Sequence, residues 1–214
     1  HLLLLNYEVD PSLIAPCVPT GVEIDFYQGR ALVSLVGFRF LNTRVLGLPI
    51  PFHRNFDELN LRFYVLRRMP GGEVRRGVCF IREFVPRFAI ALLARTLYDE
   101  PYTAVPMRHE LALDKSVARV AYGVRVRNAW HTIYGQPQGP ATPATAGPAI
   151  AFITEHYWGY TDRGTRVTAE YQVAHPGRTV QEVQDAGFEG EAAGLYGPEW
   201  ADAFTRAPHS AFLA

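Results

Sequence analysis

Polar and apolar side chains alternate along Glu58–Leu66, and the polar ones have the chemistry to hold or activate a small molecule. In a strand, Glu58, Asn60, Arg62 and Tyr64 share one face because side chains alternate with a period of two. A carboxylate exchanges protons, a guanidinium binds carboxylates, and an amide orients hydrogen bonds. The pattern fits a strand with this polar row in water. It also fits one whose polar row lines a cavity, where Glu58 and Arg62 share a network.

Other kinds of chemistry find little support. The sequence has no glycine-rich phosphate loop, no serine-hydrolase elbow and no His-Glu-x-x-His pair. Its seven histidines do not show the spacing of metal ligands. Cys17 and Cys79 have mostly apolar neighbours in the sequence, which predicts two buried free thiols. The 21 basic residues equal the 21 acidic ones in number, without a block of like charge. We therefore expect no cofactor, no metal ion and no nucleic-acid partner.

Alternating patterns dominate the chain and predict a mostly antiparallel β protein with few helices. The segment Gln136–Pro148, rich in Pro, Gly, Ala and Thr, predicts a mobile surface loop. Because strand patterns continue on both sides of it, we expect one domain over residues 1–214. The predicted strands are Arg30–Phe40, Glu58–Leu66, Gly77–Ile81, Met107–Leu113, Val117–Val126, Ile150–Tyr160 and Arg166–Val173. The predicted helices are Asp10–Ala15, Arg87–Tyr98 and Thr179–Ala186.

The apolar stretches give no indication of a membrane partner. The longest of them, such as Ile90–Ala94, are far shorter than the roughly 18 residues that a membrane-spanning helix needs. The opening His-Leu-Leu-Leu-Leu runs directly into polar residues, which predicts a strand and not a signal peptide. A cytoplasmic location is the default expectation, and the sequence leaves open whether the chain forms a homo-oligomer.

Local strings along nearly the whole chain resemble the acetoacetate decarboxylase-like superfamily. They are most similar to an uncharacterised bacterial branch of it, known only as a domain of unknown function. The strings are NYEVDPSLIAPCVPTGVEID, FDELNLRFYVLRR, RRGVCFIREF, ARTLYDEPY, FITEHYWGYT, VAHPG and RAPHSAFLA. The resemblance implies an α+β fold, a cone-shaped antiparallel β-barrel that encloses a cavity with a few helices outside. It also implies that Glu58 matches a carboxylate near the reactive centre, which favours a polar row that faces inward.

The same resemblance separates this chain from the decarboxylase chemistry. That enzyme uses a lysine, in a Pro-Lys-Lys motif after a helix, to form a Schiff base with a β-keto acid. Here Pro101 matches the proline, but Tyr102 and Thr103 replace the lysines, and neither can form an imine. The single lysine of the chain, Lys115, lies at a predicted hairpin tip beside Asp114, a poor place for a nucleophile. Schiff-base chemistry at the family position is therefore excluded.

With Schiff-base chemistry excluded, two functions are consistent with the cavity that the resemblance implies. In the first, a lysine-independent enzyme uses Glu58 as general acid or base, Tyr102 as a hydrogen-bond donor, and Arg62 or Arg95 to hold a carboxylate or enolate. Arg95 also fits a helix end and Tyr102 a packed turn, as purely structural residues.

In the second function, a non-catalytic barrel binds a small organic acid or ketone. The expected contacts in either case are Asn60, Arg62, Arg95 and Glu155, with His175 as a weaker candidate. A third possibility, a protein contact through Gln136–Pro148, rests on the composition of that segment alone.

Overall fold

A curved sheet of mostly antiparallel strands forms the centre of the protein. The computed structural model describes residues 1–42, 44–45, 48–49, 55–86, 101–113, 118–145, 147–162, 168–172 and 179–214. The strands are β1 (Leu2–Val9), β2 (Glu23–Ile24), β3 (Ala31–Phe40), β4 (Arg44–Val45), β5 (Leu48–Pro49), β6 (Phe56–Arg68), β7 (Val74–Val85), β8 (Tyr102–Ala104), β9 (Met107–Ala112), β10 (Arg119–Val126), β11 (Ala129–Pro143), β12 (Trp158–Asp162), β13 (Thr168–Gln172), β14 (Thr179–Glu189) and β15 (Ser210–Leu213). The helices are α1 (Pro11–Ile14), α2 (Pro148–Thr154) and α3 (Ala192–Tyr196), with 3-10 turns at Ala15–Cys17 and Pro198–Trp200. The expected antiparallel sheet with few helices is confirmed.

The main sheet does not close into a barrel over the residues that the structure describes. Its strand order is β13-β12-β7-β6-β3-β1-β15-β14-β11-β10-β9, with β2 beside β6 and β8 beside β7. The path therefore has two ends, β13 and β9, and the closed cone implied by the resemblance is wrong. The physical reason lies at Val105-Pro106, where the chain leaves β7 and joins β10. Pro106 has no N–H to donate and interrupts the strand between β8 and β9, so no single described strand pairs with both β7 and β10.

The sheet buries apolar side chains on both faces, which explains the unbroken Leu2–Leu5 run at its centre. Residues Leu3 and Leu5 of β1 point to one face and Leu4 points to the other. The inner core lies within the curve of the sheet and includes Leu3, Leu5, Leu35, Leu61, Phe63, Tyr122, Leu195 and Trp200. The outer core lies between the opposite face and α2 and includes Leu4, Val36, Tyr64, Val78, Ile150, Phe152 and Ile153.

Three local predictions are wrong. The predicted helix Thr179–Ala186 is strand β14, because pairing with β11 and β15 determines its conformation. The predicted loop Gln136–Pro148 is mostly strand, since β11 runs to Pro143 and pairs with β14 through two register shifts. The predicted strand Ile150–Tyr160 instead contains α2 and then β12. Pro148 occupies the first turn of that helix, a position that suits proline.

Other local predictions are confirmed. Asp10 caps α1 by accepting a hydrogen bond from the backbone N–H of Ser12 at 2.8 Å. Strands β9 and β10 form the antiparallel pair expected on either side of Lys115, and β12 pairs with β13 in the same sense. The predicted helix Arg87–Tyr98 and the predicted turn at Lys115 lie outside the described residues. No helix among the described residues is long and apolar enough to cross a membrane.

Hydrogen bonds to the buried carboxylate of Asp25 join His156, just after α2, to the sheet. Asp25, just after β2, accepts hydrogen bonds at Oδ2 from Arg76 Nε at 2.7 Å and from His156 Nε2 at 3.0 Å. Burial raises the pKa of Asp25, but the hydrogen bonds from His156 and Arg76 outweigh it and lower that pKa overall. Burial lowers the pKa of His156, helped by the charges of Arg76 and Arg62 and opposed by Asp25. The histidine is therefore neutral near pH 7.

Substituting Gly37 by alanine should destabilise the inner core. A Cβ at Gly37 would meet Cγ and Cδ2 of Tyr122 at 2.7 Å, so β3 and β10 would have to move apart. Overpacking of this kind costs about 1–3 kcal/mol of the free energy of unfolding. Chemical denaturation measures it, with Gly71→Ala as the control, because nothing lies within 4 Å of a Cβ there. Equal denaturation midpoints for the two variants would contradict the packing described.

Acidification should destabilise the fold through His156. Its folded pKa lies below its unfolded value of about 6.5, so the unfolded chain binds a proton first as the pH falls. The free energy of unfolding should therefore decrease as the pH falls below about 6.5. The carboxylate of Asp25, whose pKa is lowered, loses its contribution only at more acidic pH, as the pH falls through its folded pKa.

The measurement is urea denaturation between pH 7.5 and pH 5. His156→Asn should flatten the dependence of stability on pH, whereas His209→Asn, at an exposed histidine, should leave it unchanged. An unchanged slope in the His156→Asn protein would show that another group causes the loss.

Candidate functional site

The polar row of β6 lies on the face of the sheet opposite the inner core, and all of it except the half-buried Arg62 is buried. Glu58 and Asn60 are only 2% and 3% exposed, so the interpretation of a half-solvated strand is wrong for them. The intervening Leu59 and Leu61 belong to the inner core. The polar row consequently shares its face with the outer core and does not point into the curve of the sheet.

Glu58, Asn60, Glu83 and Tyr102 form a cluster at one end of this row, here called the Glu58 cluster. Asn60 Nδ2 donates to Glu58 Oε1 at 2.8 Å, and the Tyr102 hydroxyl donates to Glu58 Oε2 at 3.0 Å. Glu83 of β7 is the register partner of both Asn60 and Tyr102. The parallel pairing of β8 with β7 thus brings Tyr102 to Glu58 across 44 positions of sequence.

The electrostatics of the Glu58 cluster keep the Tyr102 hydroxyl protonated. Burial raises the pKa of Tyr102 well above its usual value, and the nearby Glu58 and Glu83 raise it further. A phenol in this state donates hydrogen bonds and does not act as a base. Sequence reasoning missed Glu83 because the predicted strand ended at Ile81. Continuing the alternation to Val85 would have included it.

A cleft of about 420 Å³ opens at the other end of the polar row. It lies between the start of β1, the end of α2 and the start of β14. Its apolar lining includes Leu2, Leu4 and Ile153, and its polar lining includes Arg62, Glu155 and His156.

Arg62 is a partly buried cation at this cleft. Its Nη2 makes one long hydrogen bond, 3.5 Å, to the carbonyl oxygen of Ile153. Its Nε is buried and has no hydrogen-bond partner within the described part of the chain. No carboxylate of a described residue lies within 4 Å of it, although Arg67, Arg75 and Arg76 each pair with an acid.

The structure divides the predicted site residues between two places. It brings Glu58, Asn60 and Tyr102 together in the Glu58 cluster, and it places Arg62 and Glu155 at the cleft. Glu58 and Arg62 lie four residues apart along one strand, a separation of about 13 Å between their backbones. Arg95 and His175 lie outside the described residues.

The sequence did not indicate the buried pair Asp25 and His156, because 131 positions separate the two residues. Cys17 is exposed and Cys79 is buried, so the expectation of two buried thiols is wrong for Cys17. No group of three or more His, Cys, Asp or Glu in the described ranges could hold a metal ion.

Solved structures of the acetoacetate decarboxylase-like fold superpose on this chain. Acetoacetate decarboxylase from Legionella pneumophila gives a TM-score of 0.62 at 11% identity, covering 99% of this chain and 78% of that one. The enduracididine biosynthesis enzyme MppR, complexed with the condensation product of pyruvate and imidazole 4-carboxaldehyde, gives 0.67 at 14% identity, covering 99% and 81%. An acetoacetate decarboxylase-like enzyme from Sphingomonas wittichii RW1 gives 0.61 at 13% identity, covering 99% and 84%. At these identities the likeness shows the fold alone.

Sequence comparison identifies the family. The uncharacterized protein YqjF of Bacillus subtilis (strain 168) is 31% identical over 180 residues, which cover 82% of this chain and 70% of that protein. The sequence model of DUF2071, a family of uncharacterized conserved proteins, matches residues 1–213. The resemblance read from the local strings is thereby confirmed, and the chain belongs to the DUF2071 family.

Proposed function

We propose that residues 1–214 act as one domain that binds a small, partly apolar organic acid or ketone in the cleft, where Arg62 holds the carboxylate or carbonyl oxygen. The observation that carries the proposal is the guanidinium of Arg62, which has no carboxylate partner among the described residues. A partly buried cation without an anion has lost hydration and gained no ion pair. An anionic ligand would supply the missing charge-assisted hydrogen bonds.

The cleft suits a ligand of this class in size and lining. Its volume of about 420 Å³ falls within the range of small-molecule sites. Leu2, Leu4 and Ile153 offer an apolar wall for a short hydrocarbon chain. Glu155 lines the same cleft and would repel a second carboxylate, which favours monocarboxylic acids. The fold neighbour MppR has been solved in complex with pyruvate, a small monocarboxylic acid.

A second candidate function is lysine-independent acid–base catalysis at the Glu58 cluster. The hydrogen bond between Tyr102 and Glu58 supports it, since it joins a proton donor to a carboxylate at the position of the family's lysines. For a keto acid, the Glu58 carboxylate would take the proton from the carbon beside the carbonyl group. The electron pair of that C–H bond would move to the carbonyl oxygen, and the Tyr102 hydroxyl would stabilise the resulting enolate.

Removing the charge of Arg62 should weaken acid binding. For the Arg62→Gln protein we expect binding of 2-oxovalerate and 2-hydroxyvalerate to weaken at least tenfold, because a charge-assisted hydrogen bond contributes about 1.5–3 kcal/mol. Isothermal titration calorimetry measures the affinity, and methyl esters of the same acids test whether the charge is recognised.

Arg68→Gln is the matched control, since Arg68 is exposed at the end of the same strand and pairs with Glu23 at 3.5 Å. This control should bind the acids as the unaltered protein does. Equal affinity of the unaltered protein for acids and methyl esters, or unchanged binding by the Arg62→Gln protein, would refute carboxylate recognition at Arg62.

Catalysis at the Glu58 cluster should appear as exchange of the C3 protons of 2-oxovalerate with deuterium in D₂O, followed by proton NMR. Glu58→Gln should reduce the exchange rate about 100-fold or more, because general base catalysis typically contributes about 10²–10⁴-fold. Tyr102→Phe should reduce it about tenfold or more through the lost donor. Tyr134→Phe, which alters a tyrosine outside both sites, is the control. Exchange no faster than in buffer would eliminate this second function and leave the binding function intact.

A further inference from the structure

His156 presents an unused hydrogen-bond acceptor at the border of the cleft. Its side chain is 1% exposed, and its Nε2 is engaged by Asp25 at 3.0 Å. Its Nδ1 is buried and has no hydrogen-bond partner in the part of the chain that the structure describes. Buried polar atoms are nearly always paired, and His156 lines the cleft, so its free ring nitrogen is a candidate partner for a bound molecule.

The partners of Asp25 determine which hydrogen bond Nδ1 can make. The Asp25 carboxylate is ionised and accepts from both Arg76 and His156, so the proton of the neutral imidazole lies on Nε2. The Nδ1 atom then carries a lone pair and no hydrogen, and it can only accept. A ligand group that pairs with it must be a donor.

His156 and Arg62 lie around the same aromatic ring. The Arg62 guanidinium carbon is 5.7 Å from the centre of the Tyr64 ring, and the His156 ring is 4.8 Å from it. Arg62 also contacts the carbonyl oxygen of Ile153, three residues before His156. A donor for an anion and an acceptor for a hydroxyl group therefore belong to two residues that line the same cleft and contact the same ring.

We propose that the cleft selects 2-hydroxy acids over 2-oxo acids, with the carboxylate on Arg62 and the neighbouring hydroxyl donating to Nδ1 of His156. The inference rests on the proposed binding of organic acids and names their class. The carbonyl oxygen of a 2-oxo acid has lone pairs but no hydrogen, so it cannot donate to Nδ1. It would leave Nδ1 unpaired and place two acceptor atoms next to each other. Sites built to accept from a substrate hydroxyl discriminate strongly against analogues that lack it.

The test compares the affinities of 2-hydroxyvalerate, 2-oxovalerate and valerate by titration calorimetry at pH 7.5. The unaltered protein should bind the hydroxy acid about tenfold or more tightly than either analogue, as expected for one buried hydrogen bond. His156→Phe keeps an aromatic ring but removes the acceptor, and it should bind all three acids alike. His156→Asn places an amide oxygen near the position of Nδ1 and should retain part of the preference.

The outcomes separate this inference from the proposed function. Equal binding of the three acids by the unaltered protein, or a preference that survives in His156→Phe, would overturn the inference while acid binding at Arg62 stands. No binding of any acid would overturn both. If the His156 variants do not fold, the nitrogen-15 resonance of Nδ1 in the unaltered protein decides, because the hydroxy acid must shift it and valerate must not.

Discussion

The burial of the central strands on both faces is the constraint on which the rest of the structure depends. In an antiparallel sheet with one wet face, the polar row of β6 would be solvated and chemically ordinary. Here it is enclosed, so each of its members must be paired by the protein or by a ligand. Glu58 and Asn60 are paired within the Glu58 cluster, and Tyr64 meets Ser34, whose hydroxyl donates to Asn6 at 2.6 Å.

Arg62 is the exception in this row, and the outer layer explains why. The end of α2 covers the polar row near Tyr64, where Phe152 and His156 contact the Tyr64 ring. The carboxylate of Asp25, which accepts hydrogen bonds from Arg76 and from the neutral His156, fixes that end of α2 against the sheet. The end of α2 leaves the sheet uncovered beside Arg62, and the cleft lies there. The hydrogen bond from His156 to Asp25 therefore orients both the end of α2 and the unpaired nitrogen of His156.

Alternation in the sequence was sufficient to predict most of the central strands and the polar row, because side-chain period is a local property of an extended chain. It failed where distant partners decide conformation. The segment that became β14 has a helix-like composition, but its pairing with β11 and β15 outweighs that local preference. The proline-rich end of β11 is a strand for the same reason. Composition predicted a loop there because it carries no information about pairing.

The sequence predicts about as much of the candidate site as it does of the fold. The family resemblance indicated Glu58 and Tyr102, and the structure places their oxygens 3.0 Å apart. Spacing alone could not have joined them, since β8 reaches the cluster only by pairing with β7. Asp25 and His156 carry no local signal at all, because an Asp and a His in separate segments resemble surface residues until the fold brings them together.

The length of the polar row decides how the two candidate functions relate. Glu58 and Arg62 are separated by about 13 Å along β6, and the described lining of the cleft includes Arg62 but not Glu58. A five-carbon acid held by Arg62 is too short to reach Glu58, so it would meet His156 and Glu155 instead. Chemistry at the Glu58 cluster on such an acid would therefore need a second way to hold its carboxylate. Binding at the cleft has no such requirement, because Arg62 and the apolar wall already lie together.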